Sequence, residues 1–116
     1  MPTIIKIKRA YEPASRSDGY RILVDRLWPR GLSREKAHLN LWMKEIGPSN
    51  ELRKWFHENP EKRWREFSKE YLAELRKNHH LKELKELIKT KRVVTLVYAS
   101  KNIKNNALVL AKRLAR

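Results

Sequence analysis

The chain contains no cysteine. That excludes disulfides, thiolate zinc centres and a cysteine nucleophile. Glycine occurs three times in 116 residues, and no low-complexity tract or internal repeat is present, so no long flexible linker is expected. Long apolar runs are missing too. The opening "MPTIIKIKRAYEP" holds too short an apolar stretch for a signal peptide, and no stretch approaches the ~20 residues of a membrane span. A cytoplasmic location without membrane contact is therefore expected. None of the HExxH, P-loop, GxSxG or GxGxxG patterns occurs, so neither a metal nor a cofactor is expected. Acidic residues are scarce: 13 Asp and Glu face 28 Lys and Arg, for a formal charge of +15. Such an excess favours polyanionic partners, either nucleic acid or a phosphorylated small molecule. A heat-adapted surface rich in Lys, Arg and Glu is the competing explanation, although adaptation alone predicts more nearly balanced charges.

What is present fits one modest core. A chain of 116 residues with 41% hydrophobic content has the size and composition of a single folded domain, 1–116. "TIIKIK" (3–8) alternates Ile5 and Ile7 with Lys6 and Lys8, the period of a half-exposed strand. "YRILVDRLW" (20–28) places Ile22, Leu23 and Val24 in succession and reads as a central strand ending near Asp25. Residues 39–46 alternate Leu39, Leu41 and Met43 and read as a third strand, with a helix as the alternative. Ser33 and Ser49 are placed to cap helices, and Asn59-Pro60 marks another start. Trp64, Phe67, Tyr71, Leu72 and Leu75 then follow at helical spacing, as do Leu81, Leu84, Leu87 and Ile88. "RVVTLVY" (92–98) is β-branched and apolar on both faces, and a last helix carries Ala107, Leu110, Ala111 and Leu114. This order predicts an α/β fold, with helices layered on a small, mostly parallel sheet.

Ligands in open α/β sheets bind beyond the carboxyl ends of the strands, and two stretches lie there. In "DRLWPRG" (25–31), Pro29 and Gly31 shape a stiff corner. Arg26 and Arg30 offer planar forks for phosphate or carboxylate, and Trp28 offers a stacking face. Asp25 is the only plausible acid or base. In "ASKNIKNN" (99–106), Ser100, Lys101 and Asn102 add donors where a helix begins. Each residue also has a plainer role open to it. Asp25 can pair with a neighbouring Arg, Trp28 can plug the core, and Ser100 or Asn105 can cap the helix. If the two strands are neighbours, however, both loops face one pocket for an anionic ligand. Trp42, Trp55 and Trp64 read as packing residues. His38 and His57 read as surface histidines, and His79-His80 lacks a clear metal partner. A basic nucleic-acid-binding module is the alternative function. A third possibility is a protein whose helices in 50–90 pack on a partner or a second copy. Neither the oligomeric state nor a reaction follows from these patterns.

At these residues the chain resembles the YeaO-like branch of domain of unknown function family 488. The likeness runs from about Tyr11 to the last helix. Its long pattern D-G-x-R-x-L-V-D-R-x-W-P-R-G falls here on Asp18, Gly19, Arg21, Leu23, Val24, Asp25, Arg26, Trp28, Pro29, Arg30 and Gly31. The resemblance implies a compact α/β domain without an assigned activity, and it adds Arg21 to the candidate ligand-binding residues. Another branch of the family carries a Cys at the end of the penultimate strand and a Cys-His-Arg cluster at the start of the last helix. Those positions are Tyr98, Asn106, Ala107 and Leu108 here, so that thiol chemistry is not expected. The strand–loop–helix also resembles the active-site turn of rhodaneses, but without the sulfur-accepting Cys. No helix-turn-helix pattern supports a regulator of transcription.

Overall fold

The computed structural model describes residues 2–115. Four strands, β1 (Ile4–Arg9), β2 (Tyr20–Leu23), β3 (Leu41–Trp42) and β4 (Val93–Tyr98), form one sheet in the order β1-β4-β2-β3. Every pairing is parallel. The α/β expectation holds. The apolar run in 92–98 makes β4 an interior strand, paired on both sides and covered on both faces, with Val94, Thr95, Leu96 and Val97 all buried. The alternation in β1 suits an edge, where Ile4 and Lys6 face solvent.

Five helices follow, four of them from identifiable caps: α1 (Arg34–Ala37), α2 (Asn50–Glu58), α3 (Pro60–Arg76), α4 (His80–Lys89) and α5 (Asn106–Leu114). The hydroxyls of Ser33 and Ser49 and the side-chain carbonyls of Asn59 and Asn105 each accept a backbone N–H from the first turn of α1, α2, α3 and α5, respectively. Each satisfies one donor that the helix end leaves unpaired. The pleat divides the interior. Ile22 and Leu96 point to the larger core under α2–α5, while Leu23 and Val97 point to a smaller cluster with Trp28, Leu32, Leu39 and Trp42. The aromatic stripe of α3 faces the larger core: Phe56 and Phe67 stack at 4.1 Å between ring centres, and Tyr71 continues the column.

Two strand assignments differ from the sequence reading. The strand expected over 20–25 ends at Leu23, although Val24 N–H still donates to Val97 O at 3.1 Å. The strand expected over 39–46 is only Leu41–Trp42, followed by a 3-10 turn, Lys44–Ile46. The reason is burial: Met43 and Ile46 both enter the larger core, which strict alternation cannot achieve over that span. The Tyr71 hydroxyl secures the turn by donating to Ile46 O at 2.6 Å in a buried site. Tyr71→Phe should therefore cost about 1–3 kcal/mol by stranding that carbonyl, read as a lower urea midpoint with an unchanged slope.

Candidate functional site

Because β2 and β4 are adjacent and parallel, their carboxyl ends open on the same edge of the sheet. Segments 25–30 and 99–106 meet there and wall a cavity of about 310 Å³, completed by Arg53, Phe56 and His57 of α2 and by Phe67 of α3. Asp25 is the tie between the two segments. One carboxylate oxygen accepts the Ala99 N–H at 2.9 Å, and the other accepts the Asn106 amide at 3.1 Å. The same amide donates to Val24 O at 3.1 Å. Burial pushes the Asp25 carboxyl above its ordinary value. The Ala99 N–H, the Asn106 amide and the charges of His57 and Arg53 offset part of that rise.

The other expected site residues divide by location. Arg26 lines the cavity, but its guanidinium is engaged: Nε donates to Pro48 O at 3.0 Å and Nη2 to Gly47 O at 2.9 Å. It splints the loop to the start of α2. Trp28 serves both roles weighed for it. It packs edge-on against Trp42 at 5.4 Å, its indole N–H donates to Leu32 O at 2.7 Å, and the ring still lines the cavity. Arg30 is exposed at the rim, with its backbone carbonyl held by the Tyr11 hydroxyl at 2.7 Å. Ser100 lines the wall, and its hydroxyl accepts the Asn102 N–H at 3.0 Å. Lys101 and Asn102 are not among the lining residues. Lys101 is exposed, and Asn102 accepts bonds from Lys104 N–H and the Asn105 amide.

Arg21 lies elsewhere, near the amino ends of the strands. It donates to the Asp18 carboxylate at 2.7 Å and to the carbonyls of Ala37 and His38 at 2.8 and 3.1 Å. Its place is in a buried structural knot and not in the cavity.

Three cavity residues escaped the sequence reading. Arg53 and His57 stand four apart on α2 with Phe56 between them, so one helical face brings all three to the cavity. That spacing was visible, but nothing in it tied α2 to the strand ends. Arg53 Nε is buried and has no hydrogen-bond partner among the described residues. Burial and the charge of Arg53 push the His57 pKa down, and Asp25 pulls it partly back. Asn106, the first residue of α5, is the third; Asn105 takes the capping role by accepting Leu108 N–H at 3.2 Å. The positive end of α5 thus adjoins the same wall. The cavity combines one carboxylate with Arg26, Arg30, Arg53, His57 and a helix amino end, over an apolar floor of Phe56 and Phe67.

Elsewhere, Glu83 joins His79 and His80 at the start of α4, with ligand-type atoms of all three within 4.8 Å of one another. His80 Nδ1 lies 3.3 Å from the Glu83 carboxylate. This carboxylate is a neighbour the sequence reading had not given to the histidine pair. Among the described residues, no helix is long and apolar enough to cross a membrane.

A profile of the DUF488-N3i family, described as the inactive DUF488-N3 subclade, matches residues 4–116. The uncharacterized protein YeaO of Escherichia coli K12 is 52% identical over 110 residues, covering 92% of this chain and 93% of that protein. The uncharacterized proteins Mb3100c of Mycobacterium bovis and Rv3073c of Mycobacterium tuberculosis are each 40% identical over 113 residues, covering 97% of this chain and 94% of theirs. No solved structure matches the chain.

Proposed function

The chain belongs to the YeaO-like group of the DUF488 family, and from the charge gathered at the strand ends we propose that it binds a small anionic, phosphate- or nucleotide-like ligand in the cavity between the two loops. The observation that carries this reading is Arg53. Its guanidinium has no ion-pair partner among the described residues, and the residue sits in the wall of a cavity large enough for a small molecule. An anion at that wall would give the guanidinium a partner and would also meet the positive end of α5. Trp28 at one side and Phe56 on the floor offer surface to a ring carried by the anion. The arrangement favours binding over turnover. The cavity has no activated nucleophile, Asp25 is committed to bracing two loops, and the subclade is described as inactive.

Thermal-shift measurements with inorganic phosphate, nucleoside monophosphates and sugar phosphates test the reading. A ligand present at about 100 times its Kd adds about 2.7 kcal/mol of stability, a shift of roughly 10 °C for a domain of this size. Arg53→Gln should abolish the shift. Arg26→Ala should instead lower the melting temperature without ligand, because it releases the splint to Gly47 and Pro48. If none of these anions at millimolar concentration moves the wild-type transition, the reading fails.

A further inference from the structure

A second cationic hollow lies at the other end of α3 and α5. Phe67, midway along α3, and Asn106, the first residue of α5, line the cavity, and both helices finish at a groove of about 410 Å³. Arg76 and Lys77 at the end of α3, His79, Lys82 and Lys85 at the start and along one face of α4, and Arg113 in the last turn of α5 line this groove. Its wall contains no Asp or Glu. The outer face of α3 is different: Glu61, Glu66 and Glu70 alternate there with Lys62, Arg65 and Lys69. The separation of charge is therefore a property of the groove and not of the whole basic surface.

We propose that this groove holds the phosphate backbone of a nucleic acid, independently of the cavity at the strand ends. None of its Lys or Arg side chains takes part in the ion pairs found among the described residues, which are Lys8–Asp18, Arg21–Asp18, Arg63–Glu58 and His80–Glu83. Part of the cluster has a local cause, since cations at the carboxyl ends of α3 and α5 offset the helix dipoles. Lys82 and Lys85 have no such cause. Lys82 sits in the first turn of α4, where the dipole disfavours a cation, Lys85 sits mid-helix, and the two face the same groove three residues apart. The concave shape, and the absence of any large exposed hydrophobic residue from its wall, suit a polyanionic chain better than a flat bilayer or an apolar protein partner. The same cations repel a metal ion from the His79–His80–Glu83 trio at the lip.

Fluorescence anisotropy with a labelled 20-nucleotide RNA and a 20-base-pair DNA, titrated across KCl concentrations, decides the matter. The wild-type log Kd should change linearly with log salt, because each phosphate contact releases counterions. Lys82→Gln with Lys85→Gln should weaken binding and reduce the slope by about two. Lys62→Gln with Lys69→Gln, which removes the same charge from the exposed face of α3, should leave the slope unchanged. Equal losses in the two double variants, an unchanged slope in K82Q/K85Q, or no binding at 50 mM KCl would each overturn the proposal. So would binding to vesicles containing phosphatidylserine that needs the same lysines while neither nucleic acid is bound. Arg53→Gln should leave nucleic-acid binding intact, which separates this outcome from failure of the cavity reading.

Discussion

Arg21→Met is expected to destabilise the protein by about 3–5 kcal/mol, because it removes one partner of a buried ion pair and leaves the other behind. Asp18 and Arg21 are 4% and 3% exposed, so little water is available to replace the lost contact. The guanidinium also serves the carbonyls of Ala37 and His38, and both lose a donor. Lys8 and Ser15 N–H still face the Asp18 carboxylate, which keeps the loss from growing further. Equilibrium urea unfolding at pH 7 measures it, and a loss below about 1 kcal/mol would show that the knot is not structural. The pH dependence has a definite sign. Burial alone would raise the Asp18 carboxyl, but the bonds from Ser15, Lys8 and Arg21 outweigh it and hold the group below its ordinary value. Its contribution is therefore present above the unfolded-state pKa and fades as pH falls through the folded one. The gap between wild type and Arg21→Met should narrow in acid.

That knot explains why one continuous motif serves two ends of the molecule. The pattern from Asp18 to Gly31 suggested a single site. In space its first half, Asp18, Gly19 and Arg21, locks the entry to β2. Gly19 is required there by a φ of +63° and by the backbone of Val93, whose carbonyl oxygen an added Cβ would overlap. The second half, from Asp25 onward, reaches the cavity at the opposite end of the strand. Linear spacing cannot separate these roles, because a strand of four residues is enough to carry the chain from one edge of the sheet to the other. The strands β1 and β4, the helix caps and the meeting of the two loops were legible, since period, cap chemistry and the parallel-sheet rule act locally or topologically. The contribution of α2 was not. Arg53 and His57 reach the cavity only through the packing of Phe56 on Phe67, a tertiary contact with no local signature. The length of β3 was hidden for a related reason: burial of Ile46 beside Tyr71 overrides the alternation that preceded it.

Asp25→Asn should tighten anion binding at the strand-end cavity by tenfold or more at pH 8, and the advantage should shrink as the pH is lowered. The carboxylate is the one negative side chain in a wall of cations. A unit charge about 5 Å from a bound anion opposes it by roughly 3 kcal/mol at an effective dielectric of 20. Access of water to the cavity reduces that figure, which leaves on the order of a tenfold effect. Asparagine retains an acceptor for Ala99 N–H, and the Asn106 amide can turn to present its oxygen to the new NH2 at the cost of its bond to Val24 O, so the brace keeps its link to each loop but loses one hydrogen bond. Sulfate is the appropriate probe because its charge is constant over the range. Asp25 has a raised pKa in the folded state, so it takes up a proton before an ordinary carboxyl would as pH falls, and its repulsion disappears. His57 has a lowered pKa and gains its charge only below the usual imidazole range. Both changes make the cavity more positive, so wild-type affinity for sulfate should rise as the pH is lowered. In Asp25→Asn the carboxyl part of that rise should vanish and only the imidazole part remain, and His57→Gln in the same background should flatten the profile. Weaker binding by Asp25→Asn at every pH would mean that the carboxylate receives a hydrogen bond from the ligand, and would overturn its assignment as a repulsive neighbour.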